Sequence, residues 1–220
     1  AASSTARRLC QEAMLALQAM LPAGCLQPIT TLLAHAEPAV QNLAVLLLQA
    51  RLQRGPGKLL ASAPEEPIAQ MTRRLVALSG AAAASPSSQR AALLALDLLA
   101  RECGAAMPQL FDPAVPAVVR LIEERDPLVL SSALLACSAL VSSLGVRLVP
   151  HMPLSMPPLL RCLEHSLFLS EPQRDALLAA AAWLDGCGPA LLTALPMFLH
   201  PYLPRLLRAV LRLASIDSPA

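Results

Sequence analysis

Ala91-Ala92-Leu93-Leu94-Ala95-Leu96-Asp97-Leu98-Leu99 is one copy of an alanine-centred apolar segment that recurs at Leu9 to Leu21, Leu43 to Leu52, Ser132 to Leu140 and Asp175 to Leu184. Laid on one another, Ala13-Met14-Leu15, Ala44-Val45-Leu46, Ala92-Leu93-Leu94, Ala133-Leu134-Leu135 and Ala176-Leu177-Leu178 fall in register, with starts 31, 48, 41 and 43 residues apart. Apolar residues return at helical spacing within each copy, so each reads as a helix packed on more than one side.

A second unit alternates with the first, marked by paired prolines: Pro113-Ala114-Val115-Pro116, Pro153-Leu154-Ser155-Met156-Pro157 and Pro201-Tyr202-Leu203-Pro204. Each pair opens another helix, because a proline in the first turn breaks no intrahelical hydrogen bond. An apolar comb follows every pair: Val118, Val119, Leu121 and Ile122; Leu159, Leu160 and Leu163; Leu206, Leu207, Val210 and Leu211. Pro28-Ile29-Thr30-Thr31-Leu32-Leu33 is an earlier, degenerate copy. The repeating unit is therefore a helical hairpin, and a period of roughly 40 residues is that of HEAT or armadillo repeats. Helices are expected at about 5 to 21, 25 to 35, 38 to 53, 66 to 79, 87 to 103, 113 to 124, 127 to 144, 156 to 166, 171 to 186 and 203 to 214. The fold class is all-α, an α-solenoid of about five HEAT-like hairpins in one domain over residues 1–220. Ser87 is the expected N-cap of its helix, and Gly80, Gly104, Gly145 and Gly186 stand just past helix ends. Gly55 to Pro67 and Gly80 to Ser88 read as loops between helices, since the register resumes after each.

A chain of 220 residues with 55% hydrophobic side chains buries a large core, and repetition lets it do so as one elongated body. Only Phe111, Phe168, Trp183, Phe198 and Tyr202 are aromatic, so the interior is built from Leu, Ala, Val and Met. Single-stranded nucleic acid is gripped mainly by aromatic platforms, which this composition does not provide. The 17 basic and 15 acidic residues leave a net charge of +2 and no strong long-range field toward nucleic acid. The six cysteines are dispersed within apolar helices and read as buried free thiols in a reducing compartment. No secretory signal is recognisable, because Arg7, Arg8 and Glu12 interrupt the first apolar helix. The chain begins at Ala1 with no initiator methionine, which points to a piece of a longer solenoid whose cut ends expose apolar flanks. Poor solubility of the isolated chain is the expected outcome, and a monomeric, cooperatively melting sample at high concentration contradicts it.

Pro127 to Val146 carries no charge over twenty residues, long enough to span a bilayer. Against a span, Ser131, Ser138 and Ser142 form one narrow polar line that Ser132 and Ser143 extend, and Arg90, Asp97 and Arg101 repeat that spacing in the preceding copy. Such a line belongs to a helix enclosed by its hairpin partner and by neighbouring repeats.

No catalytic constellation emerges. His35, His151, His165 and His200 are scattered, with no Ser, Cys or Asp at a spacing that defines a nucleophile and its base. Cys162 and His165 lie one turn apart, but a closed zinc site needs four ligands and no second pair has comparable spacing. The eight glycines mark helix ends and loops, not a phosphate-binding turn. The chain is expected to be no enzyme and to hold no cofactor or metal. One surface feature stands out: Arg205, Arg208 and Arg212 share a face of the final helix and could engage phosphates or an acidic partner helix.

The stretches that carry these repeats also resemble a known family. Ala39 to Leu52 is similar to its run of a valine, basic residues and an alanine ahead of a leucine-rich helix end, although Gln41 and Asn42 stand where the family tends to be basic. Ala92 to Gly104 followed by Phe111-Asp112-Pro113-Ala114-Val115 resembles its leucine-rich helix, terminal glycine and Phe-x-Pro-Val-like opening. Ser131 to Cys137, Leu148-Val149-Pro150 and Met156-Pro157-Pro158-Leu159-Leu160 follow its succession of helix and proline-led helix, and Ala194 to Leu203 looks like its Leu-Pro-x-Phe-x-x-Pro-Tyr-Leu segment. The family is the large HEAT-repeat protein of the small-subunit processome, the U-three small nucleolar RNA-associated, BP-twenty-eight-like family. The resemblance implies a nucleolar, non-catalytic scaffold in ribosome biogenesis. Its expected partners are other processome proteins, with pre-rRNA or small nucleolar RNA contacted weakly or indirectly, and with no membrane and no small-molecule substrate. A HEAT adaptor in transport or vesicle trafficking and a phosphatase-type regulatory scaffold are the alternatives.

Overall fold

Eight α-helices are seen in a computed structural model that describes residues 26–54, 64–81, 84–122, 126–165 and 200–216. They are α1 Gln27–Leu33, α2 Pro38–Arg54, α3 Glu65–Ser79, α4 Pro86–Cys103, α5 Ala114–Leu121, α6 Pro127–Leu144, α7 Met152–His165 and α8 Leu203–Ile216. No strand occurs among the described residues. The helices expected at 5 to 21 and 171 to 186 lie outside them.

Helix ends follow local chemistry. Pro28, Pro67, Pro116 and Pro204 all sit in first turns, where the missing N–H costs nothing. Glu65 and Glu66 place negative charge at the start of α3, where the helix dipole favours it. Asp126 Oδ1 accepts from the Val129 N–H at 3.3 Å and caps α6. Ser85, not Ser87, caps α4: its hydroxyl accepts from the Ser88 N–H at 3.2 Å, and Pro86 takes the first helical position. Gly145 has φ +53°, a left-handed residue that ends α6 and turns the chain into a 3-10 helix, Gly145–His151.

α7 departs from expectation by starting at Met152 rather than near residue 156, so Pro157 and Pro158 fall inside it. Met152, Ser155 and Met156 are buried, and burying that early face draws the segment into helix ahead of the prolines. The carbonyls that the two prolines leave without a donor belong to Pro153 and Leu154, both exposed to water, which offsets much of the cost.

The helices form two layers. α1, α3, α5, α7 and α8 touch in succession along one layer, and α2, α4 and α6 touch in succession along the other. Cross-layer contacts pair α1 with α2, α3 with α4 and α5 with α6, so three complete hairpins are stacked among the described residues. The proline-led copies supply the first layer and the alanine-centred copies the second, the architecture of an α-solenoid. One core cluster runs through the stack from Leu26 to Ala209, with Phe111 and Leu96 completely enclosed.

Polar ties between repeats carry the period. Gln49 Nε2 donates to the Ala91 carbonyl at 2.6 Å, Gln109 Nε2 to Glu65 Oε1 at 2.9 Å, and Ser143 Oγ to the Ala100 carbonyl at 2.9 Å. His151 Nε2 lies 2.9 Å from Asp112 Oδ1, and Arg205 reaches Glu164. These ties join residues 42, 44, 43, 39 and 41 apart, which is the repeat length read from the sequence.

The broadest helix-to-helix contact is between α4 and α6. Ala92, Ala95, Ala100, Ala133, Ala136 and Ala139 are all buried, and such short side chains let the backbones approach closely. At Gly104 the approach leaves no room for a side chain: a Cβ there would lie 2.5 Å from both Cβ and Oγ of Ser143 and would crowd the Ala100 carbonyl. Val129 to Cys162 is apolar enough for a membrane span by length and composition, yet the helix breaks at Gly145 and 61% of its most apolar window is buried within the protein. Of its serines, Ser132 and Ser138 are buried, Ser131 and Ser143 are half-buried with Ser143 turned toward α4, and Ser142 is exposed, so the polar line runs from the core to the surface.

Gly104→Ala is expected to destabilise the chain by about 1–3 kcal/mol through overpacking. Adding Ser143→Gly should recover part of that loss by removing the obstructing Cβ and Oγ, while the Ala100 carbonyl stays in place. Urea denaturation checks both, and a Gly104→Ala chain as stable as the parent contradicts the close approach.

Candidate functional site

The arginines of the last helix are not equivalent. Arg205 is engaged within the chain: its Nε donates to Glu164 Oε1 at 3.0 Å and its Nη2 to Glu164 Oε2 at 2.8 Å, a two-pronged bridge from α8 to α7. That hydrogen bonding, and next the carboxylate's charge, push the Arg205 pKa up. Arg208 is exposed, and Arg212 continues the helix with its side chain outside the described set. The apolar side of α8 also differs from the sequence pattern, for Tyr202, Leu206 and buried Ala209 face the array while Leu207 and Leu211 are 52% and 69% exposed. The structure thus gives Arg205 a structural partner and leaves Arg208 facing solvent.

The other titratable groups do not converge. His35 Nδ1 accepts from the Glu37 N–H at 3.1 Å in the turn between α1 and α2, and His151 meets Asp112 far along the array. Cys103 and Cys137 are buried and Cys162 is half-buried. Burial, and then the nearby Glu102 charge, push Cys103 up to about 11, and burial raises Cys162, so both are held as thiols rather than nucleophilic thiolates. Cys10, Cys25 and Cys187 lie outside the described residues. Among the described residues no three His, Cys, Asp or Glu side chains gather as a metal ion requires.

Sequence reasoning missed a feature of the proline-led layer. Arg73 follows buried Met71 and Thr72 on α3, Arg120 follows buried Val118 and Val119 on α5, and Arg161 follows buried Leu159 and Leu160 on α7. Each is exposed, and each occupies the same place in its helix's burial frame. Arg208 follows Leu206 and Leu207 in sequence, but Leu207 is exposed, so Arg208 does not share that burial frame. The signal was present in Val118-Val119-Arg120 and Leu159-Leu160-Arg161, but it becomes visible only when the apolar combs are aligned on their buried residues. Shallow grooves lie beside the first two: Thr30, Glu66, Gln70 and Arg73 line one between α1 and α3, and Val76, Gly80, Ala117 and Arg120 line one between α3 and α5.

Comparison with known proteins agrees with this architecture. Over 136 residues, 60% of this chain, the sequence is 33% identical to HEAT repeat-containing protein 1 of Homo sapiens. The match covers 6% of that relative's length. No protein-family model matches the chain. A HEAT-repeat relative and stacked helical hairpins together mark a scaffold-type protein.

One further titratable perturbation is structural. Asp97 on α4 is only 8% exposed, and burial pushes its carboxyl pKa above the ordinary 3.8 although Arg101 Nε donates to it at 2.8 Å. The folded chain therefore holds this proton more tightly than the unfolded chain, and the associated stability is lost as pH rises through the raised value. Relative to Asp97→Asn, the parent should gain stability as pH falls through the raised value toward the ordinary 3.8. Urea unfolding of both proteins across that range checks it, and a difference independent of pH contradicts it.

Proposed function

We propose that this chain belongs to a non-catalytic scaffold of ribosome biogenesis, supporting pre-rRNA transcription and processing within the small-subunit processome of the nucleolus. The observation that carries the reading is the stacked-hairpin architecture with a HEAT-repeat relative. The resemblance of Ala92 to Gly104, Phe111 to Val115 and Ala194 to Leu203 to the processome family narrows it from scaffold to ribosome assembly. Work of this kind is passive: a row of hairpins offers a long surface on which affinity is spread over many modest contacts. Other processome proteins are the main partners. Pre-rRNA or small nucleolar RNA plays a weaker or indirect part, because net charge is low and the described aromatics Phe111 and Tyr202 are buried or half-buried. The reading includes no cofactor, no membrane and no small-molecule substrate.

Localisation separates this reading from a trafficking adaptor or a phosphatase-type regulatory scaffold. Fluorescently tagged protein should concentrate in nucleoli and redistribute when ribosomal RNA synthesis is inhibited. Vesicular or diffuse cytoplasmic signal, unresponsive to that inhibition, rejects it.

A further inference from the structure

Ser85-Pro86 places a proline directly after a serine at the entry to α4, and Ser85, Pro86 and Ser87 are all exposed. The Ser85 backbone is extended, at φ −67° and ψ 150°, and the ring of Pro86 keeps it so by disfavouring the helical region for the residue before it. An extended strand with an open hydroxyl is the form in which a protein kinase takes its substrate. Ser85 also borders a groove of about 370 Å³ between the starts of α2 and α4, lined by Pro38, Asn42, Ala84 and Ser88 among others, so a group larger than a hydroxyl has space beside it. Ser87 and Ser88 are followed by Ser88 and Gln89, so Ser85 alone in this cluster precedes a proline.

We propose that Ser85 is a phosphoacceptor for a proline-directed serine kinase. Its Oγ attacks the γ-phosphorus of ATP: the Oγ–P bond forms, the bond from that phosphorus to the β,γ-bridging oxygen breaks, ADP leaves, and the hydroxyl proton passes to a carboxylate of the kinase. Entry to the kinase needs only the first turn of α4 to open, and helix ends open more readily than interiors. The product suits its surroundings. The Ser88 N–H already points at Ser85 Oγ from 3.2 Å, and the Ser87 and Ser88 hydroxyls stand 2.9 Å from it. Phosphorylation replaces one weak acceptor with three strong ones at the positive end of the helix dipole, and no Asp or Glu lies in the first turn to repel the added charge. The modification therefore tightens the start of α4, the helix that shares the alanine seam with α6.

This site goes beyond the scaffold reading and is tested apart from localisation. Ser218-Pro219, the other Ser-Pro pair of the sequence, lies outside the described residues, so the full 220-residue chain carries Ser218→Ala to remove that acceptor. It is incubated with ATP and a purified cyclin-dependent kinase, and phosphate is located by peptide mass spectrometry. One phosphate on Ser85 is expected, absent from Ser85→Ala and lost from Pro86→Ala. The second variant decides the matter, because it keeps both the hydroxyl and the cap. Circular-dichroism melting of the phosphorylated chain should shift upward by about 2–4 °C, and phosphatase treatment should reverse the shift. No phosphate on Ser85, equal labelling of Pro86→Ala, or a phosphorylated chain that melts at or below the unmodified temperature overturns the proposal. Each of these failures leaves the scaffold reading standing, since none depends on where the protein resides.

Discussion

Close approach of α4 to α6 is the constraint from which the rest of the array follows. Alanines on both helices bring the backbones together, Gly104 leaves no room for a Cβ beside Ser143, and the Ser143 hydroxyl meets the Ala100 carbonyl across the seam. The single Ser143 hydroxyl proton is shared with the Ala139 carbonyl of its own helix, 2.7 Å from Oγ, which holds the side chain facing α4. A larger residue at any of these points pushes one repeat away from the next. Dispersion contacts fall off within an ångström of separation, so even a small gap costs stability along the whole seam.

Given that seam, the second layer has a defined task. Each proline-led helix with a described partner is shorter than that partner and packs on it: α1 on α2, α3 on α4 and α5 on α6. α7 shows how strongly burial governs this layer. Its prolines interrupt hydrogen bonding, but the apolar face of Met152, Met156, Leu159 and Leu160 is enclosed, and the orphaned carbonyls are left to solvent. Polar ties such as Gln49 to Ala91 and Gln109 to Glu65 then set the offset of one repeat against the next. They contribute modest energy each, and their main effect is registration.

Such a body concentrates its chemistry on surface periodicity, because a stack of hairpins repeats whatever it presents. Its buried ionisable groups are adapted to enclosure: Cys103 and Cys162 are held protonated, and Asp97 is satisfied by Arg101 at the rim of the core. Arginine, by contrast, recurs where the proline-led helices face solvent.

Helix positions, the two alternating kinds of helix and the roughly 40-residue period were legible in the sequence, because apolar spacing, first-turn prolines and terminal glycines act locally. Ser85 as the cap of α4 and the early start of α7 were not, since both depend on which neighbouring residues are buried and which carbonyls reach water. The final-helix arginines were found from helical spacing, but that spacing gave no hint that Arg205 would bind Glu164, 41 residues away. Arg73, Arg120 and Arg161 became a set only when the packed layer brought their helices side by side. Local periodicity determines what each segment can be; contact between segments distant in the chain decides which side chains share a surface.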